Sequence, residues 1–306
     1  MKGAKIIKKS FVYRPEGKYG WDNNSMLTPQ PFLKDEETRR VFASIRDEEG
    51  RGRIGFVDVS AQNPSEILKV SEKPVIDLGE PGMFDDNGVL LGDLIRVGNE
   101  VYMYYVGFEI PMKAKHTCYT GLAISKDNGD TFERYSPAPV MDRSEEGLFG
   151  RAIHTIIQED GIFRTWYAVV FGWKYINGKP FPKYNIRYSE STDGKHFPNE
   201  GKLIIDCANG EYRIGRPKVR KIAGGYEMRF TYDTDDKRYI SGYAESVDGI
   251  NWVRNDKKSF LEQGTSGWDI ESVYPAIVET KYGKYMFYNG ERAGATGFGY
   301  AEVIDG

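Results

Sequence analysis

The chain has 306 residues and a formal net charge of −3, with both signs interspersed, which gives no reason to expect nucleic acid or an anionic membrane as partner. Its 35 Gly, 21 Tyr and 5 Trp suit a protein of strands and turns, and Tyr and Trp faces also suit carbohydrate surfaces. Cys118 and Cys207 are too few for a disulfide framework and sit in no metal-ligand cluster. No apolar run approaches the ~20 residues of a membrane span, and Met1-Lys-Gly-Ala-Lys lacks the apolar core of a secretory leader. The expectation is a cytoplasmic chain with no cofactor and no metal.

In chain order, period-2 alternation broken by Gly, Asn and Asp is the dominant pattern. An alternating segment at Lys5–Tyr13 stands apart. Five units follow, each with three strands in the same order. They begin at Thr28-Pro-Gln-Pro-Phe-Leu, Val89-Leu-Leu-Gly-Asp-Leu, Arg151-Ala-Ile-His-Thr-Ile, Gly215-Arg-Pro-Lys-Val and Glu271-Ser-Val-Tyr-Pro-Ala. A fourth, outer strand follows in the first four units, at Glu66, Phe132, Lys202 and Trp252; the fifth has none, and Lys5–Tyr13 can supply it. Such repeats are the sequence form of propeller blades. The expected fold is all-β, one domain over residues 1–306, a five-bladed β-propeller whose last blade is closed by the N-terminal strand, which removes an exposed sheet edge.

Three units carry a matching turn, Ser125-Lys-Asp127-Asn-Gly129, Ser191-Thr-Asp193-Gly194 and Ser246-Val-Asp248-Gly249, each with an aromatic residue a few positions on. Asp bonds to amides two residues on, Gly supplies a positive φ, and the aromatic packs the turn onto its own blade. These turns are read as structural.

In a propeller the innermost strands converge, so chemistry is sought just before and at their starts. Those segments are Trp21-Asp22-Asn23-Asn24, Met83-Phe-Asp85-Asp86-Asn87-Gly88, Glu145-Glu146 to His154, Glu211-Tyr-Arg213-Ile-Gly-Arg216 and Trp268-Asp269-Ile-Glu271-Ser-Val-Tyr274. Acids, arginines and a histidine meeting in one pocket would take an anionic or polyhydroxylated ligand. Arg46-Asp47 reads as a structural pair at a strand end.

The chain resembles the five-bladed propeller superfamily of glycoside hydrolases, families 32, 43, 62, 68 and 130, and most of all uncharacterised family-43-like proteins of bacterial surface-sugar metabolism. The resemblance is carried by Phe84-Asp-Asp-Asn-Gly-Val89, Ile214-Gly-Arg-Pro217, Ala244-Glu-Ser-Val-Asp-Gly-Ile-Asn-Trp252, Gly267-Trp-Asp-Ile-Glu-Ser-Val-Tyr-Pro275, Met286-Phe-Tyr-Asn-Gly290 and Thr296-Gly-Phe-Gly-Tyr-Ala301. It implies an axial Asp as base or nucleophile and a Glu as general acid, the pair that glycosidic cleavage needs. Asp22 matches the first-blade acid, without its usual Asn-Asp-Pro setting, and Asp85 the second-blade Asp. Glu271 is the general acid, with Glu211 as competitor. The acid of the third blade is replaced by Arg151 and His154, which puts the ordinary hydrolase mechanism in doubt.

Bland alternatives stand beside each. Asp22 and Asp85 suit turns, Glu211 a solvated loop, and His154 points either to the axis or into the sheet. Arg151, His154, Arg216 and Tyr274 are expected to bind ligand anions or hydroxyls, and Asn289 and Arg292 to line the same mouth. Trp173 and Tyr175 either stack on sugar or pack the core. The expected activity is glycosidase-like cleavage of a small glycoside or activated sugar, with phosphorolysis as a variant favoured by the arginines. The expected ligand is a small carbohydrate or sugar phosphate. The alternative is a non-catalytic carbohydrate-binding or accessory propeller in polysaccharide biosynthesis. Two carboxyls facing one cavity would favour hydrolysis, and their absence would oppose it.

Overall fold

Strands that alternate apolar and polar residues and stop at Gly-rich turns pair with their sequence neighbours, and the structure follows that logic throughout. The computed structural model describes residues 5–236, 239–259 and 267–304. Residues 1–4, where a leader would begin, lie outside this set. Among the described residues, no helix is long and apolar enough to cross a membrane.

The first strand, β1 (Lys5–Tyr13), is followed by β2 (Met26–Leu33), β3 (Thr38–Arg46), β4 (Gly52–Ser60) and β5 (Ile67–Val70), which form one antiparallel meander. A second comprises β6 (Val89–Val97), β7 (Glu100–Glu109), β8 (Thr117–Ser125) and β9 (Glu133–Arg134), and a third β10 (Gly150–Glu159), β11 (Ile162–Ile176), β12 (Lys179–Ser191) and β13 (Lys202–Ile205). These two share one eight-stranded sheet through a short parallel pairing, Gly150 with Cys118 and Arg151 with Tyr119. The fourth is β14 (Glu211–Ile222), β15 (Gly225–Thr234), β16 (Ile240–Ser246) and β17 (Trp252–Arg254). In the last, β18 (Val273–Thr280), β19 (Gly283–Asn289) and β20 (Phe298–Ile304) are completed by β1, antiparallel to β20.

Apolar side chains fill the spaces between neighbouring meanders. Phe42 and Phe56 meet Met103 and Tyr105, Tyr104 meets Ile153 and Tyr167, and Trp166 meets Met228. Val41 and Val57 meet Phe287 and Phe298, so the last meander packs on the first. Asn289 reinforces that seam. Its Oδ1 accepts from Thr28 N at 2.7 Å, and its Nδ2 donates to Met26 O at 2.6 Å and to Gly297 O at 3.0 Å.

The repeated turns tie the second, third and fourth meanders each to the one before it. Gly129 O accepts from Arg40, Gly194 O from Tyr104 Oη and Gly249 O from Trp166 Nε1. Each donor stands on the preceding meander's second strand, so the turns latch neighbours as well as closing their own corners. Within them, the Asp248 carboxylate accepts the amides of Asn251 and Ile250, which hold its pKa well down. Burial opposes ionisation of Asp127, but bonds from Thr131, Ser125 and the Asp130 amide bring its pKa down to about 2.

The first strand of every meander contains a bulge. Register slips between Leu27 and Gln30, Leu91 and Asp93, Ile153 and Thr155, Gly215 and Lys218, and Val273 and Ala276. Thr28, Gly92, His154, Arg216 and Tyr274 occupy the slips. Thr28, Arg216 and Tyr274 have φ of 54°, 54° and 55°, and each precedes a proline. A bulge bends its strand and re-aims a side chain, and a left-handed non-glycine residue costs on the order of 1–3 kcal/mol.

Two substitutions test the latches. Gly194 has φ +68°, and a Cβ there would lie 2.7 Å from Tyr104 Oη and 2.9 Å from the Phe163 ring, so Gly194→Ala should cost about 2 kcal/mol or more in urea unfolding. Asp127 is exposed, and solvent screening keeps its worth near 1 kcal/mol. Its folded pKa lies below the unfolded one, so Asp127→Ala should be less stable than wild type above pH ~4, and the difference should vanish as pH falls through about 2.

Candidate functional site

In an antiparallel hairpin the start of one strand lies beside the end of the next, as Arg213 pairs with Asp233 across β14 and β15. Both kinds of strand end therefore surround the space on which the first strands converge. That space is a cavity of about 420 Å³. Arg213, Gly215, Arg216 and Tyr274 reach it from first strands, Arg46, Phe108, Val170 and Asp233 from the far halves of second strands, and Ile110, Lys115 and His116 from the β7–β8 loop. Below it the five bulge residues and Lys218 line a chamber of about 10 Å³, with His154, Arg216 and Tyr274 common to both. Lys218 Nζ donates to Gly92 O at 2.8 Å and pairs with Asp93 at 3.3 Å.

The cavity is electropositive. Among its described lining residues, Arg46, Lys115, Arg213 and Arg216 carry positive charge, and Asp233 alone is a carboxylate. That carboxylate is already engaged. Its Oδ2 accepts from Arg213 Nε at 2.8 Å and Tyr212 Oη at 3.2 Å, and its Oδ1 from Tyr239 N at 2.8 Å. Arg46 has no described carboxylate partner; burial, and then the charge of Arg216, lower its pKa. The Arg216 guanidinium lies 4.6 Å from the Tyr274 ring centroid, and its buried Nη1 has no hydrogen-bond partner. Leaving a buried donor unmet costs about 1–3 kcal/mol.

The two histidines here are neutral near pH 7. Burial first, then Arg216 and Lys218, hold the pKa of His154 well below its ordinary value, and burial with Lys115 and Arg213 brings His116 to about 4. Burial raises the phenols of Tyr184 and Tyr274, which stay protonated. The Cys118 thiol, pushed up by burial to about 12, is inert. The set offers fixed cations, phenols and neutral imidazoles, which suit an anion and neighbouring hydroxyls.

Of the residues singled out from sequence, the cavity gathers His154, Arg216 and Tyr274. The four acids lie outside its lining. Asp22 is buried and accepts Tyr19 N at 2.7 Å; Asp85 is fully buried against Arg134, 2.9 Å from its Nε. Glu211 takes two bonds from Arg254, at 2.9 and 2.6 Å, and caps Ala208 N; Glu271 accepts Arg292 N at 2.8 Å. Arg151 is buried with Glu146 at 2.8 Å and over the Tyr167 ring, Asn289 makes the seam bonds above, and Arg292 does not reach the cavity. Trp173 stands just beyond the lining, its ring 6.3 Å from His116 and 5.4 Å from Phe149.

Arg46, Arg213, Asp233, Tyr184, Tyr239 and His116 complete the site; Arg213 was named only as part of an entry segment and Arg46 only as a structural pair with Asp47, and the other four were not singled out. Arg46 is not paired with Asp47, whose carboxylate takes Arg51 and Arg53 at 3.0 and 2.7 Å. The available signal was positional, since the ends of second strands face the same space as the starts of first strands. Replacing Arg216 by Ala removes the charge that lowers the His154 pKa most. The His154 ring resonances, followed by NMR, should then titrate at a higher pH than in wild type.

No family model matches the chain. Its fold is that of propeller glycoside hydrolases. A solved structure described under the GH130 family of mannoside phosphorylases, which contains glycoside hydrolases that target β-1,2 mannosidic linkages in Candida mannan, superposes with a TM-score of 0.74 at 13% identity, covering 99% of this chain and 94% of that one. A glycosyl hydrolase from Bacteroides ovatus gives 0.72 at 14%, covering 99% and 94%, and a thermostable family-43 glycoside hydrolase 0.69 at 16%, covering 95% and 91%. In sequence, the uncharacterized protein Rv1502 of Mycobacterium tuberculosis is 31% identical over 292 residues, spanning 95% of this chain and 96% of that protein. With near-complete coverage at that identity, the chain belongs to the family of Rv1502.

Proposed function

We propose that residues 1–306 form one five-bladed propeller, with the fifth blade completed by β1, and that its central cavity binds a small carbohydrate bearing a negative charge, such as a sugar phosphate or an acidic sugar. The observation that supports this reading is the presence of Arg46 and Arg216 in one cavity with no carboxylate partner for either among the described residues, Arg216 keeping a buried donor unmet there. Like charges with reduced solvation and an unmet donor are costly when empty, and an anion relieves both costs at once. Tyr274, Tyr184 and neutral His154 suit the sugar's hydroxyls and faces.

Isothermal titration with sugar phosphates, uronic acids and matched neutral sugars tests it. The anionic ligands should bind, more weakly as salt rises, and Arg216→Ala or Arg46→Ala should lower their affinity by about tenfold or more. Equal binding of neutral sugars, or unchanged affinity in both variants, would sink the reading. Glu271→Gln should leave binding unchanged, because that carboxylate serves Arg292 N.

A second reading is favoured by the single carboxylate. Hydrolysis with two protein carboxyls lacks its pair among the described lining residues, whereas phosphorolysis needs one acid, with phosphate as nucleophile held by the arginines. On this reading Asp233 is the acid, and it has to take up a proton in exchange for the bonds it accepts from Arg213 and Tyr212 before it can protonate the leaving oxygen. A screen of aryl glycosides should then give product only with phosphate, and Asp233→Asn should abolish it. Turnover without phosphate would point to hydrolysis, and no turnover in any arm leaves binding as the function.

A further inference from the structure

The β11–β12 hairpin outruns the cavity it helps to wall. Val170 is the last lining residue on β11, yet pairing continues from Gly172–Lys183 to Ile176–Lys179, ~16 Å of additional strand. Side chains alternate, so Trp173 and Tyr175, with their cross-strand partners Pro182 and Pro180, make one apolar face. That face turns toward the second meander, where the Trp173 ring meets His116, and toward Phe149. The opposite face carries Phe181, packed edge-on to Tyr212 and covered by Lys115 of the β7–β8 loop, and Lys174 over the Tyr212 ring.

Exposed apolar residues stand on this face and on the β7–β8 loop, where Lys113 and Lys115 lie between Met112 and His116. Tyr175 is 71% exposed, Met112 98% and Ile110 60%. Ile110 also lines the cavity. The strip therefore starts inside the cavity, at Ile110 and His116, and leaves it past Trp173. Exposed apolar residues beside a cavity mark a binding region, and the link from the cavity through His116 to Trp173 means that an occupant of this face is joined to the cavity's ligand.

We infer that this track receives an apolar aglycone carried by the ligand whose sugar and anionic group occupy the cavity; the inference rests on the ligand reading given above. The substrate class is then an amphiphilic glycoside or glycosyl phosphodiester. Arg46 and Arg216 hold its charged end, and Trp173, Tyr175, Ile110 and Met112 cover its apolar end.

The test is a chain-length series, binding the protein to a sugar phosphate and to its ethyl, butyl, hexyl and octyl phosphodiesters. Affinity should rise about three- to fourfold per added methylene over the first few. Met112→Ser/Tyr175→Ser, both at exposed positions, should flatten that rise while leaving the unsubstituted sugar phosphate unchanged. A parallel arm uses ethyl and octyl phosphate without sugar. Tighter binding of octyl phosphate, reduced in the double variant, supports the track even where sugar recognition fails. Affinity independent of chain length in both arms overturns the inference and leaves the ligand reading standing. A shift in sedimentation of the double variant with no chain-length effect also overturns it, assigning the strip to contact with a second copy.

Discussion

Neighbouring meanders stay in register because a side chain from one reaches the corner of the next. Arg40, Tyr104 and Trp166 each donate to the carbonyl of a left-handed glycine, at Gly129, Gly194 and Gly249. The contact favours glycine at all three for a positive φ, and at Gly194 and Gly249 also for the room the missing Cβ leaves. Apolar packing supplies most of the free energy between meanders, but it is non-directional. The directed bond sets the angle at which first strands converge. Arg40 is the most elaborate case, stacked at 3.7 Å on Phe56, held by Asp58 through two bonds and reaching Gly129 and Asp130 from there.

The site inverts the rules that hold elsewhere. Outside the cavity most charges are answered, as Glu146 takes Arg151, Arg187, Tyr167 and Gly201 N, and Glu159 takes Arg164, Lys221 and Tyr226, although Arg39 Nε, Arg187 Nε and Asp85 Oδ1 also lack a partner among the described residues. Inside it, cations outnumber carboxylates, a guanidinium nitrogen is unmet, and bulky Arg216 and Tyr274 adopt left-handed backbone. An excess of cations over carboxylates, gathered with left-handed Arg216 and Tyr274 around one cavity, is how this site differs from the ion-paired networks elsewhere.

Fold class and strand order were legible because alternation and Gly-rich turns are local signals, and Lys5–Tyr13 was recognisable as a strand without a unit of its own. The Asp-Gly turns were legible as corners but not as latches, since their partners lie 83–90 residues away in sequence. The candidate site was legible in part. His154, Arg216 and Tyr274 stand at starts of first strands, where convergence is expected, whereas Arg46 and Asp233 lie at the ends of second strands and acquire their role only through cross-strand pairing. The acids were harder, because a carboxylate beside Gly and Trp reads alike whether it faces a ligand or, as at Glu211 and Asp85, an arginine from another strand. The Thr28-Pro29, Arg216-Pro217 and Tyr274-Pro275 dipeptides were a usable sign, marking equivalent bulges in three meanders.

The short parallel pairing between β8 and β10 makes the seams unequal in stiffness. Gly150 permits it, since a Cβ there would fall 2.6 Å from Cys118 Sγ. Backbone bonds join the second and third meanders, which favours their opening together, while among the described residues the bonds across the other seams each involve a side chain. His116, Cys118 and His154 belong to that joined body, and Arg46 and Arg216 stand on the meanders at either side of it. Thermal breathing therefore changes the separation of the two arginines more than the shape of the wall between them. An anion bridging both would act as a tie rod, damping the motion of the whole assembly from its centre.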